Sequence, residues 1–358
     1  MRWTRNWLGI LAGVGALVGG AGPAAALSLD VLSYNVRGLP SPPIEDRTAQ
    51  IAAIAPKLES FHNPGGNAIV GLQEVFDVGY YNTLTNPGTV SYSSKTAKAN
   101  DGPSGIGDGL TLMSDFTIDS YDRVQWGTNP SFTPGCFGSL GANGSDCDTN
   151  KGFALARVTL APGFSLDVYN LHADAGQDGD ATSGSIGARQ NNINELIAYI
   201  DANSDGNAVI VMGDTNSRYT RSTDIISDLI TQASVTDVWV ELANSGTVPG
   251  FGANLDSACP APEGSATGGG ANASGPNCEV VDKIFYRSSS DVILTALGYE
   301  ALDAEFLDGS SNPLSDHFAV SASFDVELVP EPSSASLLGL GLVGVAAIRR
   351  RRGAVAQR

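Results

Sequence analysis

The residues Ala208-Val209-Ile210-Val211-Met212 run without a polar break into Gly213-Asp214-Thr215-Asn216. Five apolar residues in a row, bounded by turn formers, read as a strand buried on both faces. The glycine is expected to let the chain turn sharply as it leaves the sheet. The loop then presents a carboxylate and an amide at the end of a rigid element. Taken alone, this is a polar turn capping a strand. It gains weight because four other stretches of the chain carry polar groups at a strand end in the same way.

Leu27 to Val36 alternates as a strand, with Asn35 near its end. Asn67 to Val75 is a buried strand ending in Gln73 and Glu74. A glutamate there is costly unless it is paired or bound to a metal. Gly107 to Ser114 follows as a further strand. Asn150 to Leu160 and Phe164 to His172 are joined by Ala161-Pro162-Gly163, a hairpin turn signal, and the second of them ends in Asn170 and His172. Glu279 to Arg287 carries Asp282, and Leu314 to Phe324 places Asp316 and His317 at its start. Helical spacing of apolar residues predicts helices over Arg47 to Leu58, Arg189 to Ile200 and Asp224 to Leu229, with Pro56 weakening the last turn of the first. The sequence shows no internal repeat, and this alternation is a mixed α/β pattern.

The termini read as addresses. Met1 to about Ala26 has Arg2 and Arg5, an apolar segment from Trp7 to Val18, and a small-residue end, so residues 1–26 are expected to be a secretory signal peptide. Residues 329–358 open with Val329-Pro330-Glu331-Pro332, continue through a short apolar segment to Ile348, and end in Arg349 to Arg352. That order predicts a short transmembrane segment with a cytoplasmic end. It resembles the bacterial PEP-CTERM sorting signal. The resemblance implies processing by an exosortase and export to the surface of a Gram-negative bacterium. Between these signals lie 13 Lys and Arg against 37 Asp and Glu, a net charge of −24. Such a surface does not attract nucleic acid by neutralising phosphates. Cys136, Cys147, Cys259 and Cys278 form no Cys-x-x-Cys pair, which argues against zinc. In an exported chain their even number suggests disulfides, and sequence-adjacent pairing, 136 with 147 and 259 with 278, is preferred. The stretch from Ala243 to Asn277 is a long Gly-, Ser- and Asn-rich insertion.

The chain has only three histidines, and His62 reads as a surface residue. Asn35, Glu74, His172, Asp214 with Asn216, Asp282, and Asp316 with His317 supply hard oxygen ligands, imidazoles, a carboxylate to orient one of them, and amides. That inventory suits phosphoester hydrolysis by a metal-assisted water. It lacks the ligand set of zinc, and no Gly-x-Ser-x-Gly elbow competes with it.

The segments Ser33-Tyr34-Asn35-Val36, Leu72-Gln73-Glu74-Val75, Asn170-Leu171-His172, Gly213-Asp214-Thr215-Asn216, Val281-Asp282-Lys283-Ile284-Phe285 and Ser315-Asp316-His317 resemble, in order, the endonuclease/exonuclease/phosphatase superfamily. The resemblance covers residues 28 to 326 and implies a four-layer α/β/β/α sandwich in a domain spanning 27–328. It implies a phosphodiesterase or phosphatase that uses Mg²⁺, with Ca²⁺ or Mn²⁺ as alternatives. By the same resemblance Glu74 is the main metal ligand, with Asn35 beside it and Asp316 in support. His317 is the general base or a phosphate-contacting imidazolium oriented by Asp282. Asp214 activates the water or protonates the leaving oxygen, Asn216 holds the phosphate, and His172 contacts it from the opposite side. Asp148-Thr149-Asn150-Lys151-Gly152-Phe153 looks like a segment of bacterial sphingomyelinases, which leans the substrate toward a phospholipid headgroup. An extracellular nuclease and a non-catalytic surface protein on the same fold are the rival readings. A monomer without a stable protein partner is expected.

Overall fold

The computed structural model describes residues 25–39, 45–62, 66–100, 105–127, 149–175, 185–250, 279–302 and 304–330. Residues 1–24 of the expected leader, the four cysteines, most of the Gly-rich insertion and the tail beyond Pro330 lie outside the described residues, and the last two residues of the expected leader, Ala25 and Ala26, open the first strand. The described elements belong to one compact unit, Ala26–Leu328. Among them no helix is long and apolar enough to cross a membrane.

In chain order the strands are β1 (Ala25–Gly38), β2 (Ala68–Val75), β3 (Ser94–Lys95), β4 (Thr111–Ser114), β5 (Thr117–Gln125), β6 (Gly152–Ala161), β7 (Phe164–His172), β8 (Ala208–Asp214), β9 (Thr236–Asp237), β10 (Asp282–Arg287), β11 (Val292–Ala301) and β12 (Val320–Leu328). The helices are α1 (Thr48–Phe61), α2 (Val78–Leu84), α3 (Ser185–Asn203) and α4 (Ser227–Gln232), with a π-helical turn at Trp239–Ala243. One six-stranded sheet has the order β11-β12-β1-β2-β4-β3, and the other β5-β6-β7-β8-β10-β9. At the centre of each, one pair is parallel, β1 with β2 and β7 with β8. Parallel neighbours bring two C-terminal strand ends to the same edge of each sheet.

Successive residues of a strand point to opposite faces. In β8, Ile210 and Met212 enter the cluster between the sheets with Val31, Ile69 and Phe324, while Val209 and Val211 pack outward against Ile193, Leu196 and Ile200 of α3. In β1, Leu29 and Val31 face inward, and Leu32 and Tyr34 face Ile51, Ile54 and Leu58 of α1. The unbroken apolar runs thus serve two interfaces at once, and the architecture is a four-layer α/β/β/α sandwich. Gly71 marks a tight approach of the sheets: a Cβ there would lie 2.9 Å from Met212 Cε.

Helix α1 continues through Pro56 to Phe61, three residues past the expected end. Loss of one backbone donor costs about 3 kcal/mol in a helix interior, and burial of Ile51, Ile54 and Leu58 on the sheet offsets it. Strand β12 begins at Val320, so Asp316 and His317 occupy the preceding loop rather than the strand start. Strands β5 and β11 and helix α2 carry no clear periodicity. The turn expected at Gly213 is absent. The glycine stays in the ladder, paired with Leu171 on one side and Lys283 on the other. It is required there for a different reason: its φ is 145°, and a Cβ would lie 2.1 Å from Leu171 O. Gly163, in the β6–β7 hairpin turn, also has positive φ (87°) but nothing within 4 Å. Gly163→Ala is therefore expected to cost about 1 kcal/mol, and Gly213→Ala at least about 3 kcal/mol. Urea unfolding of the two variants measures the difference; equal losses would refute the close-approach explanation.

Candidate active site

The polar strand ends meet at one edge of the sandwich. His172 pairs in register with Asp214, and Asp214 with Asp282, so the three lie in a row across β7, β8 and β10. From the facing sheet, Asn35 at the end of β1 reaches across: its Nδ2 donates to Glu74 Oε1 and to Asp214 Oδ2, both at 3.1 Å. The Asn35 oxygen accepts from Arg37 N at 3.0 Å, and since a backbone N–H can only donate, this fixes which way the amide points. Asn35 therefore meets the two carboxylates as a donor. Just below, Gln73 donates to Asn170 Oδ1 at 2.7 Å, and Asn170 donates to Leu72 O and Thr111 O. Asn170, read from sequence among the polar strand ends, is buried inter-sheet glue.

The backbone at this edge is unusual. Arg37, Glu74 and Asn216 are left-handed, with φ of 51°, 58° and 49°. The β1–β2 register shifts between Asn35 and Gly38, which re-aims the strand end. Non-glycine residues held in this region cost about 1–3 kcal/mol each and persist only where surrounding contacts impose them. Here the contacts are visible. Asn216 N donates to Asp214 Oδ1 at 2.9 Å and its side chain to Ala173 O at 3.1 Å.

The loop before β12 closes the site. Ser315 Oγ donates to Asn35 O at 2.6 Å, and the wholly buried Arg47 donates to Leu314 O at 2.6 Å. His317 Nδ1 is 2.8 Å from Asp282 Oδ2, and its Nε2 is 3.5 Å from Asp214 Oδ2. His172 Nε2 approaches the same Asp214 oxygen at 3.4 Å and Glu74 Oε1 at 3.7 Å. Asp316 lies at the rim, 3.8 Å from Arg37 Nε, and Arg37 also pairs with Glu45 at 3.1 Å. All eight residues expected from sequence are within this constellation. His62 is not: it pairs with Asp115, next to the start of β2. Two contributors lacked a signal in the sequence. Trp126 donates through Nε1 to His172 O at 2.8 Å, and Arg47 anchors the His317 loop.

The electrostatics separate the two imidazoles. Burial, with Lys151 and His317 nearby, holds His172 well below the ordinary histidine value. Burial also opposes charge on His317, but the Asp282 and Asp214 carboxylates outweigh it and hold the imidazolium well above that value. Burial pushes the Glu74 carboxyl up, with Lys151 pulling the other way and Asp316 adding to the rise. Asp282 is likewise pushed up, to about 6, by burial against the pull of His317.

The donor set fits a divalent cation. Ligand atoms of Asp214, Asp282 and His317 lie within 4.8 Å of one another, beside the carboxylates of Glu74 and Asp316. Asp282 Oδ1 is buried without a hydrogen-bond partner. Such an acid-rich, oxygen-dominated set suits a hard ion.

The chain matches the model of Endonuclease/Exonuclease/phosphatase family 2 over residues 120–250, which include His172, Asp214 and Asn216. It matches the PEP-CTERM protein-sorting motif over residues 328–352. Sphingomyelinases of Mycobacterium bovis and Mycobacterium tuberculosis are 30% identical over 293 residues, 80% of this chain and 50% of theirs. The chain thus spans about half the length of these curated relatives. A variant of Staphylococcus aureus beta toxin with bound magnesium ions superposes with a TM-score of 0.54 at 16% identity, over 83% of this chain and 99% of that one. D. rerio TDP2 complexed with single strand DNA product gives 0.55 at 18% identity, over 83% and 98%.

Two histidines in one site should therefore titrate on opposite sides of the ordinary value. His317, raised in the fold, contributes stability that is full below about pH 6.5 and is lost as pH rises through its folded value. His172, depressed, withdraws stability as pH falls below about 6.5. NMR titration of metal-free protein is expected to show both, and Asp282→Asn should lower the His317 midpoint by more than about one unit while leaving His172 neutral. Equal midpoints would contradict the assignment.

Proposed function

We propose that the chain, which matches the Endonuclease/Exonuclease/phosphatase family 2 model over residues 120–250, is an exported, divalent-metal-dependent phosphodiesterase that acts on a phospholipid headgroup. The observation that carries this reading is the His317–Asp282 pair at 2.8 Å, with His317 Nε2 3.5 Å from Asp214, where the two sheets bring their polar strand ends together. A half-buried imidazole oriented by a carboxylate beside a second carboxylate is proton-transfer machinery. Glu74, with Asp316 nearby, would hold Mg²⁺, with Ca²⁺ or Mn²⁺ as alternatives; Asn35, expected from sequence as a ligand, instead turns its NH2 to Glu74 and steadies that carboxylate. The bound ion supplies Lewis-acid neutralisation of the phosphoryl charge.

The chain's own groups divide the remaining work. Asp214 takes a proton from the attacking water as its oxygen bonds to phosphorus. His317, held as the imidazolium by Asp282 and Asp214, donates from Nε2 to the leaving oxygen as the phosphorus–oxygen bond breaks. The proton on Asp214 then returns to His317 across their 3.5 Å contact, closing the cycle. His172, kept neutral by burial, donates a hydrogen bond without adding charge. Asn216, held by Ala173 O, steadies the phosphate.

Pairing of the cations near the site supports the headgroup over a nucleic acid. Arg37 is tied to Glu45 and Asp316, Lys283 to Glu279, and Arg189 and Arg221 to Asp224. With a net −24 over residues 27–330, these paired cations form no phosphate-tracking stripe among the described residues. The relatives named sphingomyelinase and the match of residues 328–352 to the sorting motif support the lipid substrate, export to the surface of a Gram-negative cell and exosortase processing.

Full-length protein offered sphingomyelin, phosphatidylcholine and double-stranded DNA with Mg²⁺ is expected to release headgroup and leave DNA intact. Cutting of DNA alone would make it a nuclease, and silence on all three would sink the hydrolase reading. Glu74→Ala and His317→Ala should each lose about 10²–10⁴-fold in kcat with the fold retained by circular dichroism. EDTA should stop turnover and Mg²⁺ restore it; normal turnover in chelator would remove the metal from the mechanism.

A further inference from the structure

The loop after β8 is fastened by buried charges that no step above uses. Glu279 is fully buried. Its Oε1 accepts from Tyr219 N at 2.5 Å, and its Oε2 accepts from the Thr220 hydroxyl at 2.8 Å. Lys283 Nζ, itself buried, lies 3.4 Å from the same Oε1 and 4.6 Å from the centroid of the Tyr219 ring. At the near end of the loop, Thr215 donates to Val281 O through its backbone N at 3.1 Å and its hydroxyl at 2.6 Å. Arg221 Nη1 donates to Asn216 O at 2.8 Å and to Asp224 at 2.9 Å. Asn216 is thus the span between two fixed points, and it is the residue with φ of 49°.

A buried ion pair is a poor way to gain stability, because desolvating both charges offsets their attraction. It is an effective way to fix geometry, because its acceptors accept only from donors in set directions. A left-handed asparagine needs such fixing. We propose that Glu279, with Lys283 as its counter-ion, is a positioning residue. It holds the Tyr219–Thr220 end of the loop so that Asn216 keeps its left-handed backbone and presents its side chain to the phosphate. The effect on activity rests on the reading of Asn216 given above; the effect on the loop does not.

Two readouts on the full-length protein test this. The first is hydrogen exchange of the Asn216 amide, which is protected by Asp214 Oδ1 at 2.9 Å. Glu279→Gln should speed it about tenfold or more, with the Ile210 and Val211 amides of β8 unchanged. The second is turnover of bis(4-nitrophenyl) phosphate with Mg²⁺. Glu279→Gln should lower kcat about 10–100-fold with KM nearly constant. Placed on Asn216→Ala, the same change should cost less than about twofold, because the two residues act through one contact. Thr220→Val, which removes only the hydroxyl donor to Glu279, should move both readouts in the same direction and serves if Glu279→Gln does not fold. Unchanged exchange at Asn216, or a full multiplicative loss in the Asn216→Ala background, would overturn the proposal. A wild type inactive on the diester would count against the phosphodiesterase reading alone, since the exchange measurement still decides the loop.

Discussion

Asn35 Nδ2 donates to Glu74 within its own sheet and to Asp214 on the other, joining the sheets at the point where both bring their acids. Glu74 comes from one sheet and Asp214 and Asp282 from the other, and like charges at such separation repel unless something lies between them. Asn35 donates to Asp214, the Nε2 atoms of His172 and His317 lie 3.4 and 3.5 Å from the same carboxylate, and Lys151 adds positive charge beside Glu74. The arrangement requires the sheets to be in register. Lower in the sandwich the Gln73–Asn170 bond and the close fit of Gly71 on Met212 set that register. A buried polar bond of this kind adds modestly to stability but strongly disfavours sliding, because a shift would leave both amides unsatisfied.

Much of this was legible in the sequence. Apolar runs ending in polar residues mark strands of a four-layer sandwich, because only strands covered on both faces can be apolar at every position. The same rule located Asn35, Glu74, His172 and Asp214 at one edge. It failed where the ladder continued: Gly213 reads as a turn residue, yet its need for φ of 145° arises from Leu171 O, a contact no local pattern encodes. It gave no role to Asn170, since a polar residue that bonds across sheets is indistinguishable in sequence from one facing solvent. Strand β5 was hidden because it is an edge strand whose side chains are mostly exposed, so no apolar period survives. Arg47 and Trp126 were invisible because their partners are backbone carbonyls, Leu314 O and His172 O.

The acid-rich surface and the site share a cause only in part. Over the surface the charge keeps an exported chain soluble. Inside the site the carboxylates are held in fixed directions by donors, and burial separates the behaviour of two histidines that share one neighbour in Asp214.

The path of the chain has a further consequence. Sheet one takes β1 and β2 from the start of the domain and β11 and β12 from its end, so the contact of Ser315 with Asn35 spans 280 residues. Contacts of such long sequence separation form late and slowly. A chain still emerging, or one cut short before Val320, has Glu74 and Asp214 but no β12 to fix the far end of the His317 loop in the sheet. Assembly of the reacting groups is thereby coupled to completion of synthesis. The candidate residues of the two sheets therefore come together only where the whole domain can close.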